Sequence, residues 1–60
     1  MFKIFIHSFV IDVATTRGIT RFRWTGDGRQ LRKVIAQRVS DWQQAWAIVD
    51  GTGNVSTLYR

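Results

Sequence analysis

The chain has 60 residues, with seven arginines and two lysines against four aspartates and no glutamate, and therefore a formal net charge of +5. It has no cysteine, which excludes a disulfide framework, a cysteine-based zinc site and a thiol nucleophile. Because a chain of this size buries only about 60% of the surface that unfolding exposes, it usually depends on a crosslink, a metal or a partner. We therefore expect one domain over residues 1–60, stabilised by its aromatic side chains or by formation of a homodimer.

The first apolar segment, residues 2–13, is rich in β-branched and aromatic side chains and predicts a strand. Its even-numbered face is apolar up to Ile6 and its odd-numbered face is apolar from Phe9 onward, so the alternation changes phase at His7-Ser8. A β-bulge there would turn both halves toward one core, whereas a regular strand would bury its second face against a partner subunit. The segment is shorter than the roughly 20 apolar residues of a membrane span, so we expect no membrane partner. The absence of cysteine fits a cytoplasmic location.

The second segment begins at a turn over residues 15–18, where Gly18 is free to adopt a positive φ. Residues 19–25 then alternate regularly, which predicts a strand whose Phe22 and Trp24 point into the core. The side chains on the opposite face of this strand point to solvent and are Arg21, Arg23 and Thr25.

A helix is predicted after the break Gly26-Asp27-Gly28, with Asp27 or Gly28 as its N-cap. The glycines stand between a strand and a helix, as in phosphate-binding loops, but the third glycine of a dinucleotide site and the Lys-Ser/Thr pair of a P-loop are missing. Turn geometry is sufficient to explain them. Four apolar residues recur at the spacing of one helical face: Leu31, Val34, Ile35 and Val39.

The segment after Ser40 allows two interpretations, because its apolar residues fit both a helix over 41–48 and a strand over 43–49. The downstream sequence favours the strand, since residues 50–53 are typical of a hairpin loop that leads into a second strand over 54–59. The predicted fold is therefore a small α+β domain in the order ββαββ, an antiparallel sheet with one helix on a face. The alternative order is ββααβ.

Basic residues dominate the predicted solvent-facing surfaces of the second strand and of the helix. Guanidinium groups bind phosphate oxygens in pairs of hydrogen bonds, so seven arginines against two lysines favour recognition of an anion. An acidic protein surface would fit the same residues, and a solvated face on a cationic protein would need no partner. The candidate binding residues are Arg17, Arg21, Arg23, Arg29, Arg32, Lys33 and Arg38.

Three of these cations, Arg29, Arg32 and Lys33, lie in the first turns of the predicted helix, where the helix dipole disfavours positive charge. A bound anion at the helix N-terminus would compensate them, and so would the carboxylate of Asp27. The sequence permits both explanations.

Aromatic residues in the second half of the chain fit either the core or an exposed interface with a protein. They would form an interface only if their rings share an exposed sheet face. Phe22 and Trp24 alternate with arginines, as in proteins that stack bases, but they face away from those arginines and are expected in the core. The interface candidates are Trp42, Trp46 and Tyr59.

No catalytic site, metal site or cofactor is expected. His7 is the only histidine, and a catalytic role would require a nucleophile, an acid or a metal beside it. Three of the four aspartates stand in turn or cap contexts, and the fourth, Asp12, lies in a strand with no evident partner.

The expected function is non-catalytic binding of nucleic acid, in which the basic face contacts the phosphate backbone with little sequence specificity. The pattern fits neither ribbon-helix-helix repressors, which have one strand before two helices, nor winged-helix proteins, which need a helix-turn-helix before the wing. The chain resembles in size the small accessory proteins of phages and plasmids. That resemblance implies an alternative function, a stoichiometric inhibitor or regulator that docks on an acidic surface of a host or defence protein.

Overall fold

The computed structural model describes residues 6–60, which form a four-stranded antiparallel sheet with one short helix packed on one face. This arrangement confirms the predicted α+β class, and residues 42–49 form a strand rather than the alternative second helix. In chain order the elements are β1 (Ile6–Thr15), β2 (Gly18–Asp27), a 3-10 turn (Gly28–Gln30), α1 (Leu31–Arg38), β3 (Trp42–Val49) and β4 (Val55–Tyr59).

The sheet has the order β2-β1-β3-β4, so β1 lies between its hairpin partner and a strand that follows the helix. A two-residue loop joins β1 to β2, with Gly18 at a φ of 125° and the Thr15 hydroxyl donating to its carbonyl oxygen over 3.1 Å. The loop between β3 and β4 places Gly51 and Gly53 at φ values of 90° and 73°, which residues with side chains rarely adopt. Both chain reversals therefore depend on glycine.

The core lies between α1 and the sheet face that carries Phe9 and the other buried residues of β1. Helix α1 contributes Leu31 and Ile35, as its apolar spacing predicts. Phe22 and Trp24 pack against the core from β2, which confirms their predicted orientation, and the Trp24 ring stacks on Phe9 with 6.0 Å between ring centroids. The buried side chains are those of Phe9, Ile11, Val13, Leu31, Ile35, Trp42, Ala45 and Ala47.

Of the two interpretations of the first strand, the one with a bulge at His7-Ser8 is wrong. Strand β1 pairs with β2 without interruption over its whole length, so consecutive residues keep alternating between the two faces. Ile6 therefore points away from the core and is 56% exposed. The apolar residues at positions 2 and 4, on which the prediction also depended, lie outside the described residues.

A bulge does occur, but it lies between β1 and β3. Ala14 pairs with Gln44 while the next residue, Thr15, pairs with Trp42, so Gln43 is an extra residue in β3. The insertion reverses the alternation and turns Trp42 into the core, where only 3% of it is exposed. Trp46, four residues later, points to the opposite face of the sheet, although simple alternation would place both rings together.

Candidate nucleic-acid interface

The four aspartates of the chain each form an ion pair with an arginine, and these pairs divide the predicted basic surface in two. The paired arginines lie in the β1–β2 turn, on β2 and at the helix start, and they carry little uncompensated charge. The pairs are Arg21–Asp12 at 2.6 Å, Arg29–Asp27 at 2.7 Å, Arg17–Asp41 at 3.5 Å and Arg23–Asp50 at 3.9 Å.

The pair on β2 and β1 is bidentate. Arg21 lies directly opposite Asp12 in the antiparallel register, and its Nε and Nη2 donate to the two carboxylate oxygens over 2.6 and 3.0 Å. The hydrogen bonds lower the pKa of Asp12 and raise the pKa of Arg21. Arg23 meets Asp50 more loosely, at 3.9 Å between well-exposed groups. Both arginines of β2 therefore form ion pairs with aspartates of the same chain.

The start of the helix is compensated by the chain's own carboxylate. Asp27 caps the 3-10 turn by accepting from the backbone N–H of Arg29 over 2.9 Å, and it also accepts from the guanidinium of Arg29. The side-chain hydrogen bonds from Arg29, aided by the backbone bond, lower the pKa of Asp27 to about 2. Asp27 therefore compensates Arg29, whereas Arg32 and Lys33 have no aspartate within ion-pair distance among residues 6–60.

The remaining cations of the described residues lie around α1 and at the end of β4. Among residues 6–60, no carboxylate of an aspartate lies within ion-pair distance of any of them. We refer to them as the helix-side cations, and they are Arg32, Lys33, Arg38 and Arg60.

Two helix-side cations pack on aromatic rings at opposite flanks of α1. The Arg32 guanidinium lies 5.7 Å from the Trp42 ring and donates to the Tyr59 carbonyl oxygen, and the Arg38 guanidinium lies 5.1 Å from the Phe22 ring. A ring engages the face of a guanidinium and leaves its N–H edges free for other acceptors. Both groups are therefore held in place while retaining donors that face solvent.

Arg60 is a binding candidate that the sequence analysis missed. Its Nη1 donates to the carbonyl oxygens of Ser40 and Trp42 over 3.3 and 3.4 Å, which places it where α1 passes into β3. The only available signal was the predicted pairing of the last two strands, which brings the end of β4 beside the start of β3.

A polar groove at the C-terminal end of α1 brings the turn arginine and a helix arginine together. It encloses about 400 Å³ between the β1–β2 turn and the connection from α1 to β3. Arg17 and Arg38 lie beside the hydroxyls of Thr20 and Ser40, which can donate to a phosphate oxygen, and beside Asp41, the ion-pair partner of Arg17. The groove thus extends the helix-side cations toward the β1–β2 turn.

The three aromatic candidates do not form one surface. Trp42 belongs to the core, whereas Trp46 and Tyr59 lie on the face of the sheet opposite α1, which we call the open face. They are diagonal neighbours there, because Trp46 pairs with Thr57 and Tyr59 pairs with Gln44.

The described residues also bear on His7, on metal ligands and on membrane-spanning helices. His7 is exposed and meets the edge of Phe9, with 6.0 Å between ring centroids. Within those residues, no three histidine, cysteine, aspartate or glutamate side chains come together as metal ligands would. Their helices also lack the length and apolar character needed to cross a bilayer.

The chain matches no protein-family model, no curated protein and no solved structure. Its charge distribution and its two sheet faces are therefore the features from which a function can be inferred.

Proposed function

We propose that the protein binds nucleic acid non-catalytically, using the helix-side cations to contact the phosphate backbone. The observation that carries this proposal is the division of charge. Every aspartate is paired with one of four other arginines, so the uncompensated charge of the described residues gathers around α1 and the end of β4. A polyanion approaching the molecule is attracted most strongly to that side.

The geometry of the helix-side cations suits a phosphate backbone. Helix α1 has eight residues and is therefore about 12 Å long, which equals the axial rise of three to four nucleotides of one strand, at about 3.4 Å of duplex axis each. Arg32 and Arg38 flank the helix and present guanidinium edges, which bind phosphate oxygens in pairs. The polar groove beside Arg38 offers hydroxyl donors to a further phosphate.

Low sequence specificity follows from what surrounds these cations. Between Lys33 and Arg38 the exposed positions of α1 are Ala36 and Gln37, so only one side chain there can form hydrogen bonds to base edges. Contacts to phosphates position a protein on a duplex but carry no direct sequence information.

The proposal is tested by titrating labelled duplex and single-stranded oligonucleotides with the full chain at about 50 and 200 mM salt. A variant with Lys33→Gln and Arg38→Gln is compared with a control that carries Arg21→Gln and Arg23→Gln, since both lower the net charge by the same amount. We expect the helix variant to weaken binding and to reduce the salt slope on duplex DNA by about 1.8, at 0.9 per lost contact. The control should keep most of the wild-type slope.

Two outcomes would overturn the proposal. Absence of binding to either oligonucleotide at low salt would exclude a phosphate-contacting function. An equal reduction of the salt dependence of binding in the two variants would show that net charge, rather than the helix-side cations, determines binding.

An acidic protein surface is the second candidate for the same cations. It is favoured by the edge strand β2, which is ten residues long and has only one partner strand among residues 6–60, as strand-addition surfaces do. Purification at low salt with and without nuclease separates the two candidates. Nuclease removes a bound nucleic acid and leaves a protein partner in place.

A further inference from the structure

The open face carries the exposed apolar surface of the described chain. The four large apolar side chains that are most exposed all lie on it, at 56–70% exposure. The register places them there, because Ile19 pairs with Ala14, Val55 with Ile48 and Tyr59 with Gln44. These four residues are Ile6, Ile19, Val55 and Tyr59.

Half-buried apolar residues add to the exposed ones in the middle of the sheet. Val10 pairs with Ile48, which in turn pairs with Val55, so one row of apolar residues crosses β1, β3 and β4. Trp46 lies in the next row of the same face, beside Asp12. Exposed apolar side chains together with such a row are typical of a surface that another molecule covers.

The charges on the open face cancel within the described residues. Arg21 is held by Asp12 and Arg23 meets Asp50, so two cations and two carboxylates share this face. The uncompensated charge of the described residues, that of the four helix-side cations, lies instead around α1 and the end of β4. A phosphate backbone would find little attraction on the open face, whereas a second cationic molecule can approach there with the least repulsion.

The area of the open face suits a dimer. Four strands at about 4.8 Å and about 25 Å of strand length give a flat area of roughly 500 Å² for each copy. Two such faces would remove at least about 1,000 Å² of surface from water, which is the lower limit of a specific protein interface. Pleating and projecting side chains such as Tyr59 raise the accessible area above the flat estimate.

We propose that two copies of the chain pack open face against open face around a two-fold axis, with both α1 helices on the outside. The sheets would form the two layers of a β-sandwich, in which Trp46, Ile48 and Val10 pack against the same residues of the second copy. The bidentate Arg21–Asp12 pair would also lie in the interface, because Asp12 is on the inner strand β1 beside Trp46. This inference is independent of nucleic-acid binding, since a dimer can form with or without it.

The mass of the full chain in solution tests the proposal. Light scattering or sedimentation should give about twice the monomer mass of 7.0 kDa. Substitution Val55→Lys, on the open face, is compared with Ala36→Lys on the outer side of α1, since each adds one charge at an exposed position. We expect Val55→Lys to raise the dimer Kd at least tenfold with an unchanged far-ultraviolet circular dichroism spectrum. Ala36→Lys should leave Kd unchanged.

Tryptophan emission of the wild-type chain provides a second measurement. Dilution of the wild-type chain should shift the emission to longer wavelength as Trp46 becomes exposed, and a variant with Trp46→Phe should lose that shift. A monomer mass at about 1 mM chain, where even a dimer with a Kd of 1 mM would be visible, would overturn the proposal. A dimer that resists Val55→Lys would also overturn it, because such a dimer must use another surface.

Discussion

Substitution Trp42→Ala tests the side chain that the irregularity of β3 buries. Gln43 is the extra residue that turns Trp42 into the core, and its own side chain is exposed. If residues 42–44 alternated regularly, Trp42 would share the open face with Gln44. Trp42→Ala therefore removes one of the eight buried side chains of the described core.

The expected magnitude follows from the burial of Trp42. A tryptophan side chain buries about 200 Å², which at 25 cal/mol per Å² corresponds to about 5 kcal/mol. A single core in a chain of this length rarely supplies more than about 3–5 kcal/mol of net stability. The Trp42→Ala variant should therefore be largely unfolded, or should retain less than half of the wild-type free energy of unfolding.

Urea denaturation followed by tryptophan fluorescence measures this difference, with Gln43→Ala as the control. The control keeps the extra residue and loses only an exposed side chain, so its unfolding free energy should stay within about 0.5 kcal/mol of wild type. A Trp42→Ala variant whose free energy of unfolding stays within about 1 kcal/mol of wild type would refute the reasoning, because the burial of Trp42 would then contribute little to stability.

Two further predictions concern β2 and the helix start. A β-carbon added at Gly26 would lie 2.4 Å from Cζ2 of Trp24, so Gly26→Ala must displace a ring that stacks on Phe9. We expect a loss of about 1–3 kcal/mol in urea denaturation, and an unchanged midpoint and slope would contradict this packing. Because the pKa of Asp27 is lowered to about 2 by Arg29, its contribution to stability is complete above its unfolded pKa of about 4 and is lost as pH falls toward 2. Asp27→Asn keeps a capping oxygen but cannot titrate, so urea midpoints measured from pH 6 to pH 2 should fall less steeply in this variant, and an equal fall would refute the assignment.

Local patterns in the sequence were sufficient for most of the elements. Alternation placed Phe22 and Trp24 in the core, and the apolar spacing identified Leu31 and Ile35 as the helix contacts. The loop glycines resolved the choice between helix and strand for the segment that contains Trp46. These signals act over a few residues, so the register of the sheet does not affect them.

The bulge considered in β1, which is absent, and the bulge in β3, which the sequence did not indicate, have a common physical explanation. In β1 the alternation of apolar residues changes phase at His7. An inserted residue and a second apolar face would both produce this pattern, so the sequence does not distinguish them. In β3 the residues around Trp42 alternate regularly in sequence, and the inserted Gln43 is recognised only from its pairing with β1.

The sequence alone also could not show which arginines of the basic surface are paired with aspartates. Arg21 and Asp12 are nine positions apart, and only the antiparallel register shows that they are direct neighbours. Arg17 and Asp41 meet across two different connections of the chain. Composition gives the number of charges, but pairing decides which of them remain available to a partner.

The strand order also determines how the chain must fold. The hairpins β1–β2 and β3–β4 join strands that are adjacent in sequence, and each can form through local contacts. The pairing of β1 with β3 must instead close a loop that contains all of β2 and α1. Ile35 and Leu31 lie on that loop and pack against residues on both sides of the junction, so helix docking and closure of the sheet depend on each other. We therefore expect the junction of β1 and β3 to be the last part of the sheet to form and the step that makes folding cooperative.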